Sequence, residues 1–138
     1  MSKLKDPALS TRHQAREQIL ALLYEAEIKK LTISDVLANQ IAPMDSFATA
    51  LLNGIEKNLK RIDEAIKVHS IGWKLERMPI VDLCIMRMAG AELLCCLDTS
   101  VAVIISEAVA LSKTYSTAES GGFINGVLAQ VAIDFRGA

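Results

Sequence analysis

The sequence predicts an all-α protein of six to seven helices arranged as two packed subbundles around one core. Three observations carry that prediction. Only three prolines and seven glycines interrupt 138 residues, so breakers are few and helices are long. Apolar residues recur every three to four positions along most of the chain, the spacing of one helix face. Hydrophobic residues make up 51% and charged residues 22%, enough apolar material to fill a core and too little charge for disorder.

Each helix has a start and a stop. Residues 1–9 read as a flexible polar leader, after which Ser10 or Thr11 can cap a first helix carrying Ala15, Ile19, Leu22, Leu23 and Ala26 up to Lys29 and Lys30. Thr32 to Ser34 opens a short second helix that ends before Pro43, because the residue ahead of a proline avoids the α region. Asp45 or Ser46 caps a third, whose stripe of Phe47, Leu51, Ile55, Leu59, Ile62, Ile66 and His69 runs to Ser70, with a possible break at Gly54. A compact turn with Trp73, Leu75 and Met78 follows Gly72.

Pro79 fits the first turn of a central helix with Val81, Cys84, Ile85, Met88, Ala91 and Cys95 inward. Arg87 and Glu92 on it can form a buried pair. Asp98, Thr99 and Ser100 offer capping oxygens to the next helix. There Val101 to Ile105 is β-branched enough to pass for a strand, but the helical pattern continues to Lys113 and Tyr115. Ser120 caps the last helix, with Phe123, Val127, Leu128 and Val131 on its face. No repeat or linker divides the chain, so residues 1–138 are expected to form one domain.

Composition narrows the function. No apolar run approaches the roughly 20 residues of a membrane span, and the N-terminus lacks the pattern of a secretory signal, so a cytoplasmic protein is expected. Cys84, Cys95 and Cys96 contain no C-x-x-C pair, and His13 and His69 lie far from them. They read as free thiols, with no metal site and no cofactor. Neither histidine sits in a nucleophile motif and no glycine-rich phosphate loop occurs, so no catalytic residues and no enzyme activity are expected. A net charge of −1 makes any nucleic-acid contact local.

Two stretches stand out. Arg12-His13-Gln14-Ala15-Arg16, with Lys3 and Lys5 upstream, puts Arg12 and Arg16 on one face of the first turns. Cations there oppose the helix dipole. Either they are solvated arginines paired with Glu17 or another carboxylate, or they contact phosphate with their flat donor forks. Ser120-Gly121-Gly122-Phe123-Ile124-Asn125-Gly126 combines a helix start with an aromatic ring. Phe123 can stack on an unpaired base or pack in the core, and Asn125 can satisfy a buried carbonyl.

Several motifs share one further property. Arg12-x-x-Ala15-Arg16-Glu17 with Leu22-Leu23-Tyr24, Trp73-x-Leu75-x-Arg77, Val81-Asp82-x-x-Ile85-Met86-Arg87-x-Ala89 with Glu92-Leu93, Glu107-Ala108-Val109 with Lys113, and Ser120-x-x-Phe123-Ile124-Asn125-Gly126-Val127-Leu128 resemble, in order and spacing, the NusB family of bacterial transcription antitermination factors. The resemblance implies a single RNA-binding helical domain that binds the boxA element of ribosomal RNA leader transcripts. It does so together with NusE, a ribosomal protein of the small subunit, within an antitermination complex on RNA polymerase. It further implies that Arg12, His13, Gln14, Arg16, Ser120, Phe123 and Asn125 meet RNA, and that Tyr24, Glu76 and Asp82 face NusE.

Where the family often carries a denser arginine run this chain has His13 and Gln14, and a basic residue near Gly122 is absent. The resemblance therefore implies a lighter grip on RNA or more dependence on NusE. The family's usual proline near Ser100 and asparagine near Ser106 are replaced as well. A protein scaffold or homodimer with weak or lost RNA binding is the alternative in a different class. A detached copy of the NusB-like domain of rRNA cytosine methyltransferases is the alternative within the nucleic-acid class.

Overall fold

The computed structural model describes residues 7–41 and 43–137, the side chains of residues 7–11 excepted. Among these residues the chain forms seven α-helices, α1 (Pro7–Lys29), α2 (Ile33–Ala38), α3 (Ser46–Lys57), α4 (Leu59–His69), α5 (Ile80–Cys95), α6 (Val101–Tyr115) and α7 (Ser120–Arg136), with a 3-10 turn at Leu75–Arg77. No strand occurs among them, so Val101 to Ile105 is helical. No described helix is long and apolar enough to cross a membrane.

Helix α5 is the axis of the fold. It is buried on every side from Asp82 to Met86 and from Met88 to Leu93. Helices α1 and α3 pack on one side of it, and α4, α6 and α7 on the other, while α2 closes against α1 and α3. The expected two subbundles thus share α5 and one hydrophobic core. Close approach of α4 depends on Gly90, where a Cβ would come within 2.9 Å of the Ile62 side chain.

The boundaries differ from expectation at definable places. Helix α1 begins at Pro7, so residues 7–9 belong to it rather than to a leader, and Ser10 and Thr11 lie inside it. Proline is pre-set for the first helical position, having no N–H to leave unpaired. Residues 1–6, with Lys3 and Lys5, lie outside the described residues. The break between α3 and α4 falls at Asn58, not at Gly54: the Asn58 side-chain amide donates to the Gly54 carbonyl at 2.9 Å and its backbone N–H donates there at 3.1 Å, a local competition with the helix ladder.

Caps account for the other ends. Thr32 and Asp35 form a capping box at α2, Asp45 accepts from the backbone N–H of Phe47 and Ala48 at α3, and Ser100 accepts from Val103 at α6. Ser120 is the first residue of α7 and not its cap; that position falls to Glu119, whose side chain makes no cap bond.

Helix α1 ends on Lys30, whose φ of 57° is left-handed, and Leu31 N–H donates to the Ala26 carbonyl at 2.9 Å. This is the geometry that glycine usually supplies, and an L side chain there costs roughly 1–2 kcal/mol. Lys30→Gly should therefore raise stability by up to about 1 kcal/mol in urea unfolding, with an unchanged m value.

Candidate nucleic-acid interface

The first half of α1 is tied to the rest of the fold by charge. Arg16 is 2% exposed and meets Glu92 of α5 through two hydrogen bonds, Nε to Oε2 and Nη2 to Oε1, both 2.8 Å. Its Nη1 also reaches Glu107 of α6 at 3.5 Å. Burial by itself would lower the pKa of this guanidinium, but the hydrogen bonds and charge of Glu92, with Glu107 behind, outweigh it and the net shift is upward. Arg16 stays charged and stays inside. The expectation that it contacts RNA is corrected: its donors are committed to carboxylates within the core.

Arg12, one turn earlier, is the outward member of the pair. Its side chain is 38% exposed, its Nη1 donates to the Thr99 hydroxyl at 3.2 Å, and Asp98 lies 3.9 Å from Nη2. The guanidinium rests over the Phe47 ring, 4.7 Å from its centroid. Phe47 also lies beneath Arg16, at 5.7 Å. Two arginines on one ring are a shelf that sequence reading missed, since Phe47 comes from α3 and the contact is tertiary. Cation–π contact of this kind draws a guanidinium to the face of the ring.

His13 is half exposed, with Nδ1 3.1 Å from Glu107 Oε1 and Nε2 3.8 Å from Glu17 Oε2. Gln14 is exposed.

The second expected surface begins at the opposite end of α6 from the first and runs back along it, Asn125 sharing a groove with Ala102, Ile105 and Ser106. Arg12 touches residues just before α6, whereas Ser116 and Ser120 follow its end, and the 15 residues of α6 span roughly 22 Å at about 1.5 Å per residue. Ser120 is buried, and its hydroxyl donates to Asp82 Oδ2 at 2.7 Å while Ser116 donates to Oδ1 at 2.6 Å. Both residues are therefore corrected: Ser120 is withdrawn from RNA, and Asp82, 3% exposed, ties the α6–α7 junction to α5 rather than presenting a charge to a partner.

Phe123 settles between its two alternatives, partly packed on the core and 6.1 Å, centroid to centroid, from the tilted Trp73 ring. Asn125 is exposed and lines a groove of 690 Å³ along α6 with Ser106, Val109, Lys113 and Gly122. Tyr24 is exposed and lines a hollow of 330 Å³ with Leu20, Val81 and Tyr115. The Tyr115 hydroxyl donates to Glu17 at 2.7 Å, which holds its pKa above the ordinary value. Glu76 is exposed on the 3-10 turn.

The expected Arg87–Glu92 pair does not form. Arg87 instead meets Asp63 of α4 through two bonds, at 2.8 and 2.9 Å, and Glu27 of α1 at 2.8 Å. Arg136 of α7 donates to four backbone carbonyls, those of Glu92, Leu93, Cys96 and Thr99. It thereby satisfies the C-terminal end of α5 and fixes the turn that holds Thr99 against Arg12.

Fold and surfaces together define a small helical-bundle protein whose interior charges are spent on the mutual attachment of its helices. The chain belongs to the NusB family, whose profile matches residues 13–133. It is 39% identical over 125 residues to the transcription antitermination protein NusB of Thermobifida fusca (strain YX), covering 88% of each chain. Among solved structures it is similar to NusB of T. maritima (TM-score 0.78, 30% identity, 94% of this chain and 92% of that one). It shares its fold with the NusB of a complex of antitermination factors NusB and NusE with dsRNA (TM-score 0.76, 21% identity, 91% and 98% covered). The same fold recurs in the solution structure of NusB from Aquifex aeolicus (TM-score 0.71, 23% identity, 90% of each chain).

Removing one partner of a buried ion pair strands the other charge, at a cost of about 3–5 kcal/mol. Arg16→Ala should lose that much stability in urea unfolding, and Arg16→Lys should recover only part of it, lacking the second donor. The thiols give an independent check of the interior. Burial pushes Cys84 up to about 12, and burial followed by the charge of Glu92 pushes Cys96 up to about 11. The reactive thiolate is therefore scarce in both at pH 8. An aromatic disulfide reagent should titrate the exposed Cys95 rapidly in the native protein and the other two thiols only on unfolding.

Proposed function

We propose that this chain is a transcription antitermination factor that binds boxA RNA of ribosomal RNA leader transcripts jointly with NusE, as part of an antitermination complex on RNA polymerase in the cytoplasm. The observation that carries the reading is the 39% identity, across 88% of the chain, to a transcription antitermination protein NusB. The geometry supports it at Arg12, a guanidinium 4.7 Å from the Phe47 ring centroid on a side chain 38% exposed, which suits phosphate or base contact. His13, Gln14, Phe123 and Asn125 remain the accompanying RNA contacts, with Tyr24 and Glu76 facing NusE. No step of this function requires catalysis, and the chain acts by binding.

Two features shape the binding. Arg16 is internal and His13 is held by Glu107, so the first patch offers few free cations and its grip on RNA leans on NusE. The two RNA patches begin at opposite ends of α6 and approach each other along the α6–α7 groove, where Asn125 shares a wall with Ala102, Ile105 and Ser106.

Gel-shift titration of boxA RNA, with and without NusE, tests the reading. Arg12→Ala should weaken binding about tenfold and reduce the slope of log K against log salt by about 0.7, one phosphate's share on a single strand, while helical circular dichroism stays unchanged. Undiminished affinity in Arg12→Ala would remove the α1 patch from the interface. Failure of the wild-type protein to shift boxA RNA even with NusE would leave the scaffold function.

A further inference from the structure

Trp73 is the one tryptophan of the chain, yet it is 52% exposed, and its neighbour Ile71 is 90% exposed. Single apolar residues on a surface are ordinary, but a large aromatic half out of the core beside a second ring is not explained by packing. That second ring is Phe123, with centroids 6.1 Å apart and planes inclined at 58°. Beside the pair opens a hollow of 220 Å³, lined by both rings and by Met78, Pro79, Glu119 and Ser120, with Asp82 in its wall. This is below the roughly 300–1,000 Å³ of sites that enclose a whole small-molecule ligand, and suits a single planar group.

Trp73 also lines a second hollow, of 250 Å³, with Gly72, Lys74 and Arg77. Lys74 and Arg77 are exposed and pair with no carboxylate among the described residues. Trp73 therefore stands between a hollow with two acidic side chains in its wall and one with two cations. A phosphate is repelled from the first and attracted to the second. A base is the reverse: it stacks on an aromatic face, and its amino group donates to a carboxylate. Glu119, exposed in that wall and making no cap bond, is the carboxylate open to such a donor, while Asp82 is spent on the two serine hydroxyls.

We propose that Trp73 and Phe123 hold one unpaired RNA base, with Lys74 and Arg77 taking the adjoining phosphate, and that bases bearing an exocyclic amino group are preferred there over uracil. The site rests on the RNA-binding reading of the chain and extends it from the start of α7 to the turn before α5.

The lone tryptophan makes the test direct. Oligocytidine and oligouridine decamers are titrated into the full chain while tryptophan emission is followed, and boxA RNA affinity is measured for Trp73→Leu, Trp73→Phe and the Lys74→Ala/Arg77→Ala pair. Saturable quenching, stronger with oligocytidine, is expected. Trp73→Leu should lose about tenfold in affinity, Trp73→Phe should stay within about threefold of wild type, and the double variant should lower the salt slope by about 0.7 or more. Unchanged emission at saturation, or full boxA affinity in Trp73→Leu, overturns the site while leaving the RNA-binding reading standing. Normal RNA affinity with loss of NusE binding in Trp73→Leu overturns it too and gives the patch to the protein partner. If Trp73→Leu fails to fold, the wild-type quenching and the Trp73→Phe affinity decide. If wild type binds no boxA RNA with NusE present, the functional reading and the site fall together.

Discussion

Everything on the α1 face depends on the fact that a buried guanidinium must be matched. Arg16 and Glu92 are each 2% exposed, and two charges at that depth are tolerable only when every donor has an acceptor. That requirement sets the register of α1 on α5 to within a hydrogen bond. Glu107 is then drawn toward the same site from α6, and it holds His13 as well. One turn away, Arg12 is left at the surface, supported by Phe47, the Thr99 hydroxyl and Asp98. The outward arginine is placed by the inward one.

The polar groups of α5 divide its neighbours among themselves. Asp82 takes the hydroxyls of the α6–α7 junction, Arg87 takes carboxylates from α1 and α4, Glu92 takes Arg16, and the last carbonyls take Arg136. An otherwise apolar helix could pack at several rotations, because hydrophobic contact is not directional. Four directional attachments leave one. Both ends of α6 are thereby held against the same axis, and the separation between the two candidate RNA patches becomes a fixed length.

The helices were legible because their apolar spacing is strong and their breakers few. Their junctions were less so. The break at Asn58 depends on a side-chain amide bonding back to Gly54, which competes with a helix without interrupting its hydrophobic pattern. The shared face of Arg12 and Arg16 was readable from their spacing, but not their depth. A signal existed, since Arg16 sits at helical spacing with the buried Ile19 and Leu23. The Arg87–Glu92 pairing could have been discarded on geometry: five residues apart on a helix, they point about 140° from each other. Phe47 and the Trp73–Phe123 pair join distant parts of the chain, and no local pattern announces a contact that only folding creates.

Arg136 carries a consequence for when the site comes into being. It binds the carbonyls of Glu92, Leu93, Cys96 and Thr99, yet it follows every other contributor to the α1 face in the chain. During synthesis, helices α1 to α6 emerge while the end of α5 still exposes its unpaired carbonyls. The turn bearing Thr99 is seated only after α7 emerges and docks. The perch of Arg12 therefore depends on the docking of α7, and a chain with α7 undocked would present a looser surface there.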